Sequence, residues 1–269
     1  MNQALPTLDA PALANALADA AALQSLPHFR TALAVITKAD ASPVTMADRA
    51  AEAAMRVLLA RHAPAHGILG EEHGRERLDA HYVWVLDPID GTKSFITGSP
   101  LWGTLIALVH QGRVELGLVD MPVLQERWIG LRGQGARRNG EPVHVSSCAS
   151  LAQARVFTTS PDMFSADEWA AYDALSRGCL LRRFGGDCYS YAQLACGCVD
   201  LVVEADLQPY DYMALVGLVE AAGGVISDWQ GRPLGLSSDG RVVAAATPAL
   251  HQQALALLSA VPAAAQPKA

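Results

Sequence analysis

Charge is scarce in these 269 residues: Asp, Glu, Lys and Arg make up 17% of the chain, while hydrophobic residues reach 51%. That balance excludes a disordered chain and indicates a packed globular one, long enough for one large domain or two subdomains sharing a site. Positive charge is the scarcer sign, with 20 Lys and Arg against 27 Asp and Glu, a net of −7. The excess of acid argues against a nucleic-acid backbone or an acidic membrane surface as partner. Five cysteines, Cys148, Cys179, Cys188, Cys196 and Cys198, form an odd set with neither disulfide-framework nor zinc spacing, so reduced and mostly buried thiols are expected. No apolar run approaches the roughly 18 residues of a membrane span. The first stretch carries Asp9 and Asp19 among alanines, where a secretion leader would have basic residues before an apolar core, so the expected location is cytoplasmic. No 20- to 50-residue repeat is visible. His62, His66, His73 and His81 lie near one another without metal-ligand spacing and are expected at the surface.

What the chain does have is a run of β-formers from Tyr82 that ends in Asp87-Pro88-Ile89-Asp90-Gly91-Thr92. Pro88 cannot donate to a sheet ladder, so a strand is expected to stop at Asp87. Gly91 permits a turn geometry closed to other residues, and a helix opening after it would present unsatisfied N–H groups to an anion. Two carboxylates beside an anion site make chemical sense if a hard cation such as Mg²⁺ lies between them and a phosphate. Alone, the hexapeptide reads first as a plain β-turn. The rival chemistry, a covalent aspartyl-phosphate, places its two acids two residues apart on one side of an extended strand. Here they are three apart, which suits two ligands spread around a turn.

Other acids occupy comparable positions. Asp48 falls in the first turn of a helix expected over 45–61, with Thr45 and Asp48 as N-cap residues. Glu71 and Glu72 follow a brief strand, and adjacent residues on extended chain face opposite ways, so Glu71 can point inward while Glu72 meets solvent. Asp211 opens a helix that Pro209 starts and Gly223-Gly224 stops, with Leu215, Leu218 and Val219 on one face.

Around these motifs the chain divides into two rhythms. An amphipathic helix is expected over 8–26, with Leu13, Leu17 and Leu23 on its apolar side. Between 103 and 145, consecutive strands form a hairpin and a meander without helices, the pattern of an antiparallel or mixed sheet. After about residue 150, strands at 155–158, 180–184, 199–204, 225–228 and 242–246 alternate with helices at 166–176, 189–196, 210–222 and 248–258. The expected division is an N-terminal α+β subdomain, 1–148, carrying most of the metal ligands. A C-terminal α/β subdomain, 149–269, would carry Asp211 and the substrate-selecting residues, with the active site between them. The Ala/Pro-rich tail from Pro262 is expected to fray.

Gly70-Glu71-Glu72, then Asp87-Pro88-Ile89-Asp90-Gly91-Thr92, then Asp211 ahead of Glu220-Ala221-Ala222-Gly223-Gly224, closely resemble the inositol monophosphatase family, over about 30–250. Within it, Gly91-Thr92-Lys93-Ser94-Phe95, Gly185-Gly186-Asp187-Cys188-Tyr189 and Pro209-Tyr210-Asp211 look most like the histidinol-phosphatase type. The resemblance implies a layered αβαβα sandwich, α+β in class, shared with fructose-1,6-bisphosphatase, with a largely antiparallel N-terminal sheet and an α/β C-terminal half. It implies two or three Mg²⁺ ions held by Glu71, Asp87, the Ile89 carbonyl, Asp90 and Asp211. Asp48 would accept from the Thr92 hydroxyl so that Thr92 orients the attacking water. Glu71 would orient or deprotonate that water, and the N–H groups of Gly91 and Thr92 would hold a phosphate oxygen. A homodimer and inhibition by Li⁺ are further family expectations.

Substrate choice rests on two acids. At the position matching Asp187 the inositol enzymes carry a small neutral residue, and Glu204 matches a family residue touching the substrate's non-phosphate end. Together these two would favour a cationic amino alcohol such as L-histidinol phosphate over a neutral polyol, and Asp211 is also expected to touch the substrate. Asp187 also reads as a plain helix N-cap, and both roles are compatible. The alternatives are an inositol or broader small-molecule phosphatase, and a catalytically silent relative that only binds metal or phosphate. Retention of Asp48 and Thr92 beside all the metal carboxylates counts against the silent relative.

Overall fold

The computed structural model of the chain describes residues 9–31 and 46–261, together with the backbone of two short strands at 36–37 and 43–44. Thr45, expected as a helix cap, and the tail from Pro262 lie outside the described residues. The first helix, α1 (Ala10–Ser25), begins where the Asp9 carboxylate accepts the Ala12 N–H at 3.0 Å. Leu13, Leu17 and Ala21 are buried, but Leu23 is 73% exposed. Ten residues beyond Leu13, at about 100° per residue, Leu23 has turned roughly 80° off the buried stripe. Strands β1 (Ile36–Thr37) and β2 (Pro43–Val44) pair antiparallel ahead of α2 (Met46–His62).

The larger sheet comprises β3 (Gly67–Gly70), β4 (Gly74–Glu76), β5 (Tyr82–Asp90), β6 (Gly103–His110), β7 (Arg113–Met121), β8 (Glu126–Leu131), β9 (Gly135–Arg138) and β10 (Glu141–Val143), with a short helix α3 (Thr92–Thr97) after β5. Its order is β10-β9-β8-β7-β6-β5-β3-β4, and every pairing is antiparallel except β3 with β5. The expected hairpin and meander are therefore present. The C-terminal half runs β11 (Arg155–Thr158), α4 (Ala166–Arg177), β12 (Leu181–Phe184), α5 (Cys188–Ala195), β13 (Leu201–Glu204), α6 (Pro209–Ala221), β14 (Val225–Ser227), β15 (Val242–Ala245) and α7 (Pro248–Leu258). Its sheet, β12-β11-β13-β15-β14, is parallel over its first three strands and antiparallel beyond.

Five layers result. Helices α1 and α2 cover one face of the larger sheet, burying Leu17, Met55 and Leu59 against Trp84, Leu86 and Ile106. Helices α5 and α6 fill the space between the sheets, where Tyr191, Met213 and Leu218 share a core with Val85, Leu105, Val202 and Ala244. Helices α4 and α7 close the outer side of the second sheet through Tyr172, Leu175 and Leu250. The chain is an αβαβα sandwich, α+β in class. Because β5 and β6 are covered on both faces, they read as continuous apolar runs with no alternation.

Helix α6 buries every residue from Tyr212 to Val219, more than the single face expected from Leu215, Leu218 and Val219, because sheets press on it from both sides. Gly117 and Gly130 make the closest approach possible: an added Cβ would stand 2.0 Å from the Ala214 carbonyl oxygen and 2.4 Å from that of Gly217. All five cysteines are free, but only Cys188 is buried and Cys198 is exposed, so the expectation of mostly buried thiols fails. His66 also departs from its expected surface position, since it is half-buried with its Nδ1 accepting from the Trp84 indole N–H at 3.1 Å.

Candidate active site

Strand β5 carries the first carboxylates farther than the sequence suggests. It does not stop at Asp87 but continues to Asp90, which pairs with Gly103 across a register shift that accommodates Pro88. The bulge is stitched locally: the Ile89 N–H donates to Asp87 Oδ1 at 3.0 Å, and the Thr104 hydroxyl donates to the Pro88 carbonyl at 2.8 Å. Gly91 then sits at φ +82°, a left-handed conformation that costs glycine little, and reverses the chain into α3. An added Cβ there would stand 3.1 Å from the Asp187 carboxylate.

Asp211 arrives from the other half of the molecule. It lies in the first turn of α6, where one carboxylate oxygen accepts the Gln208 N–H at 2.7 Å. Asp87, Asp90 and Asp211 each offer an oxygen such that the three lie within 4.8 Å of one another. The strand-end pair and the helix-start acid thus meet between the two sheets.

Glu71 stands near this group, though outside its 4.8 Å spread, on the turn after β3. Its backbone N–H donates to the Leu86 carbonyl at 3.2 Å, pinning it beside the end of β5. Its charge, with those of Asp90, Asp211 and Asp48, raises the pKa of Asp87, though burial is the largest cause. Asp48 is buried in the first turn of α2. The Thr92 hydroxyl donates to the Ile89 carbonyl at 3.2 Å, where the sequence led us to expect Asp48 as its acceptor, because the turn at Gly91 folds Thr92 back over the end of β5.

The electrostatics of this gathering are unfavourable as it stands. Burial foremost, then the Asp187 charge, pushes Asp90 up to about 8, against the pull of the Cys188 N–H. Asp211 is likewise raised, by burial first and then by Asp90. Hard carboxylate oxygens crowded at low dielectric resist ionisation unless a cation joins them. The donor set fits Mg²⁺: octahedral oxygens at about 2.1 Å from an ion stand about 3 to 4.2 Å apart, so a 4.8 Å spread closes by sub-ångström shifts.

Asp187 occupies the N-cap position of α5 but does not cap it. Its backbone is held at φ 45°, and its carboxylate accepts from the Ser94 hydroxyl at 2.8 Å. The Cys188 N–H of that helix start donates instead to Asp90 Oδ2 at 2.7 Å. The plain N-cap reading of Asp187 is therefore replaced. Burial raises the Asp187 pKa, with Ser94 and Lys93 opposing.

Glu204, at the end of β13, is buried and heavily hydrogen-bonded. Its Oε1 accepts from the Thr159 N–H at 3.1 Å and the Thr159 hydroxyl at 2.5 Å, and its Oε2 from the Tyr191 hydroxyl at 2.8 Å. Burial still pushes it up to about 7.

These residues line two adjoining cavities. An outer cleft of about 310 Å³ is walled by Glu71, Gly91, Thr92, Lys93, Thr159, Asp162, Asp187 and Asp206. An inner recess of about 140 Å³ is walled by Asp90, Asp187, Tyr191, Glu204 and Asp211, and Thr159, Met163 and Asp187 border both. A larger cavity of about 600 Å³ opens beside α1 and β8, around Arg127. There Arg127 is already bonded to Asp120 and Asp19, and the carboxylate cluster is elsewhere.

The chain matches the inositol monophosphatase family model over residues 9–263. It belongs to the inositol monophosphatase family. It is 47% identical to the bifunctional phosphatase IMPL2, chloroplastic, of Arabidopsis thaliana, over 91% of this chain and 73% of that protein. A histidinol-phosphatase of Chlorobaculum parvum is 38% identical, over 86% of this chain and 90% of its own length. The solved structure of an inositol monophosphatase from Zymomonas mobilis superposes with a TM-score of 0.87 at 46% identity, covering 95% of this chain and all of that one.

As a member of this family the chain is a phosphatase acting on phosphate monoesters. Sequence reasoning missed Asp162 and Asp206 as wall residues and Thr159 as the donor to Glu204. Asp206, at φ 59°, was findable in principle from its place two residues past Glu204 and five before Asp211. No helix among the described residues is long and apolar enough to cross a membrane.

Proposed function

We propose that this phosphatase hydrolyses L-histidinol phosphate to L-histidinol and phosphate in a Mg²⁺-dependent reaction, the phosphatase step of histidine biosynthesis. The observation that carries the reading is the acid-rich wall beside the ligand cluster. Asp187 borders both cavities, with Asp162 and Asp206 along the outer cleft and Glu204 in the inner recess. A cleft whose charged lining, Lys93 apart, is acidic suits an ammonium and an imidazolium better than a ring of neutral hydroxyls. The name of the Chlorobaculum relative supports the same substrate.

Glu71, Asp87, Asp90, Asp211 and the Ile89 carbonyl would hold the Mg²⁺ ions. Bound there, the ions supply a lowered pKa for the attacking water and neutralise charge on the phosphoryl oxygens and leaving alkoxide. Glu71 would take the proton from that water, and the Thr92 hydroxyl, which donates to the Ile89 carbonyl in the structure, would turn to Asp48 as its acceptor to orient the water toward phosphorus once the Ile89 carbonyl is committed to an ion. The N–H groups of Gly91 and Thr92 donate to a phosphoryl oxygen. Helix α3 has only six residues, so these donors act as individual hydrogen bonds more than as a helix dipole. Asp187, with Glu204 behind it, receives the cationic end of the substrate. A homodimer, and a division at about residue 148 into a ligand-rich half and a substrate-selecting half, complete the proposal.

The second reading is an inositol-1-monophosphatase, which the Zymomonas structure's name favours. A panel of phosphate esters assayed with Mg²⁺ separates the two. Histidinol phosphate should exceed inositol 1-phosphate and an adenosine bisphosphate in kcat/KM by at least about tenfold, the worth of roughly 1.4 kcal/mol of discrimination. Equal or reversed preference would transfer the assignment to the second reading.

A further inference from the structure

Glu71 is the one proposed ligand on a turn between short strands, and the structure contains a second carboxylate that grips this turn from behind. Glu52 lies on α2, one helical turn after Asp48, and its side chain is completely buried. Its Oε2 accepts the Glu72 N–H at 2.6 Å, and its Oε1 accepts the His73 N–H at 3.2 Å. Gly70 leaves the space this needs, since a Cβ there would sit 2.0 Å from Glu52 Oε1. Arg56 completes the clamp, its Nε donating to Glu52 Oε1 at 2.7 Å and its Nη2 to the Gly74 carbonyl at 2.5 Å. With the Glu71 N–H already on Leu86, three successive backbone N–H groups at Glu71, Glu72 and His73 are tied down around the one side chain that faces the acid cluster.

We propose that Glu52 is a positioning residue that fixes the Glu71 turn and thereby sets the affinity of the metal site, resting on the Mg²⁺-phosphatase reading above. Charge alone does not explain the arrangement, because a buried acid needing only a partner would be met by Arg56. Two backbone donors are spent on it as well, both immediately downstream of Glu71. Orienting contacts of this kind typically change metal affinity by 10- to 100-fold. Neither orientation of a glutamine amide can substitute, because both carboxylate oxygens accept N–H groups and one of them would become an NH₂.

The test is calorimetric titration of Mg²⁺ into metal-free wild type, Glu52→Gln, Glu71→Gln and the double variant, with kcat and KM measured alongside. Glu52→Gln should weaken Mg²⁺ binding about tenfold, lowering kcat at limiting Mg²⁺ while KM for the ester changes little. In the Glu71→Gln background the same substitution should weaken binding no further, because its effect runs through Glu71. A general loss of packing would lower the melting temperature in both backgrounds without that non-additivity. Wild-type affinity in folded Glu52→Gln, or an undiminished tenfold loss in the Glu71→Gln background, would overturn the proposal. If Glu52→Gln does not fold, Arg56→Lys carries the test. It should weaken Mg²⁺ binding about threefold, and unchanged affinity there would equally refute the clamp. Absence of Mg²⁺ binding in wild type would instead overturn the reading on which the clamp depends.

Discussion

Asp90→Asn is expected to lower Mg²⁺-dependent phosphate release by about 10³-fold while leaving the far-ultraviolet circular dichroism spectrum unchanged. The substitution keeps side-chain volume and removes one of the three carboxylates whose oxygens lie within 4.8 Å of one another. Charge neutralisation at a metal site is worth several kcal/mol of transition-state stabilisation, and about 4 kcal/mol corresponds to 10³ in rate. The amide carries a second penalty. Asp90 Oδ2 accepts the Cys188 N–H at 2.7 Å, so an NH₂ turned toward that donor would loosen the start of α5, where Asp187 sits. Part of the activity should return as Mg²⁺ is raised. A variant with wild-type activity at low Mg²⁺ would remove Asp90 from the site.

Asp187→Ala is expected to act on choice of substrate more than on chemistry. It should cost about 30-fold in kcat/KM for histidinol phosphate and less than about threefold for an aryl phosphate whose leaving group is uncharged, reflecting roughly 2 kcal/mol for one close, partly desolvated charge pair. The loss is modest for a charge pair because Asp187 opens on the outer cleft and shares its charge with the Ser94 hydroxyl. The Asp187 carboxylate touches Ser94 and lies against Gly91, a proposed phosphate donor, so the aryl ester also reports any disturbance of that region. Equal losses on both esters would make Asp187 a structural residue and return the inositol reading to first place.

The acids that converge in the structure were legible in the sequence because each stands beside a strong local signal. Pro88 and Gly91 bracket Asp87 and Asp90, Pro209 and the Gly223-Gly224 pair frame the helix of Asp211, and Gly70 precedes Glu71. Those signals also place the elements in order, which is why the hairpin, the meander and the later alternation match the observed strands. Less legible was whatever depends on the partner across a gap. Pro88 ends a strand in isolation, yet a bulge against Gly103 carries β5 three residues past Asp87. Asp187 matches a helix cap by position, but the hydroxyl that holds it is 93 residues away at Ser94. Glu52 looks like an ordinary helix-surface acid until the turn it grips is seen, because its donors are backbone groups, which sequence pattern does not register.

The account stands on buried carboxylates converging to hold a divalent cation, and the melting temperature of metal-free protein with and without Mg²⁺, followed from pH 5.5 to 8.5, tests it most directly. Burial and mutual repulsion raise Asp87, Asp90 and Asp211 above their unfolded values, Asp90 to about 8. A raised carboxyl stabilises the folded state below its unfolded pKa, and that contribution is lost as pH climbs through the folded pKa. Without metal the protein should therefore lose stability toward pH 8.5. Mg²⁺ binds the ionised acids and should reverse the loss, giving about 2.7 kcal/mol at a hundred times the dissociation constant, or roughly 5 to 10 °C for a chain of this size. The expected increment grows with pH and shrinks sharply in Asp90→Asn. An increment absent in wild type, or equal in wild type and Asp90→Asn at every pH, would contradict it.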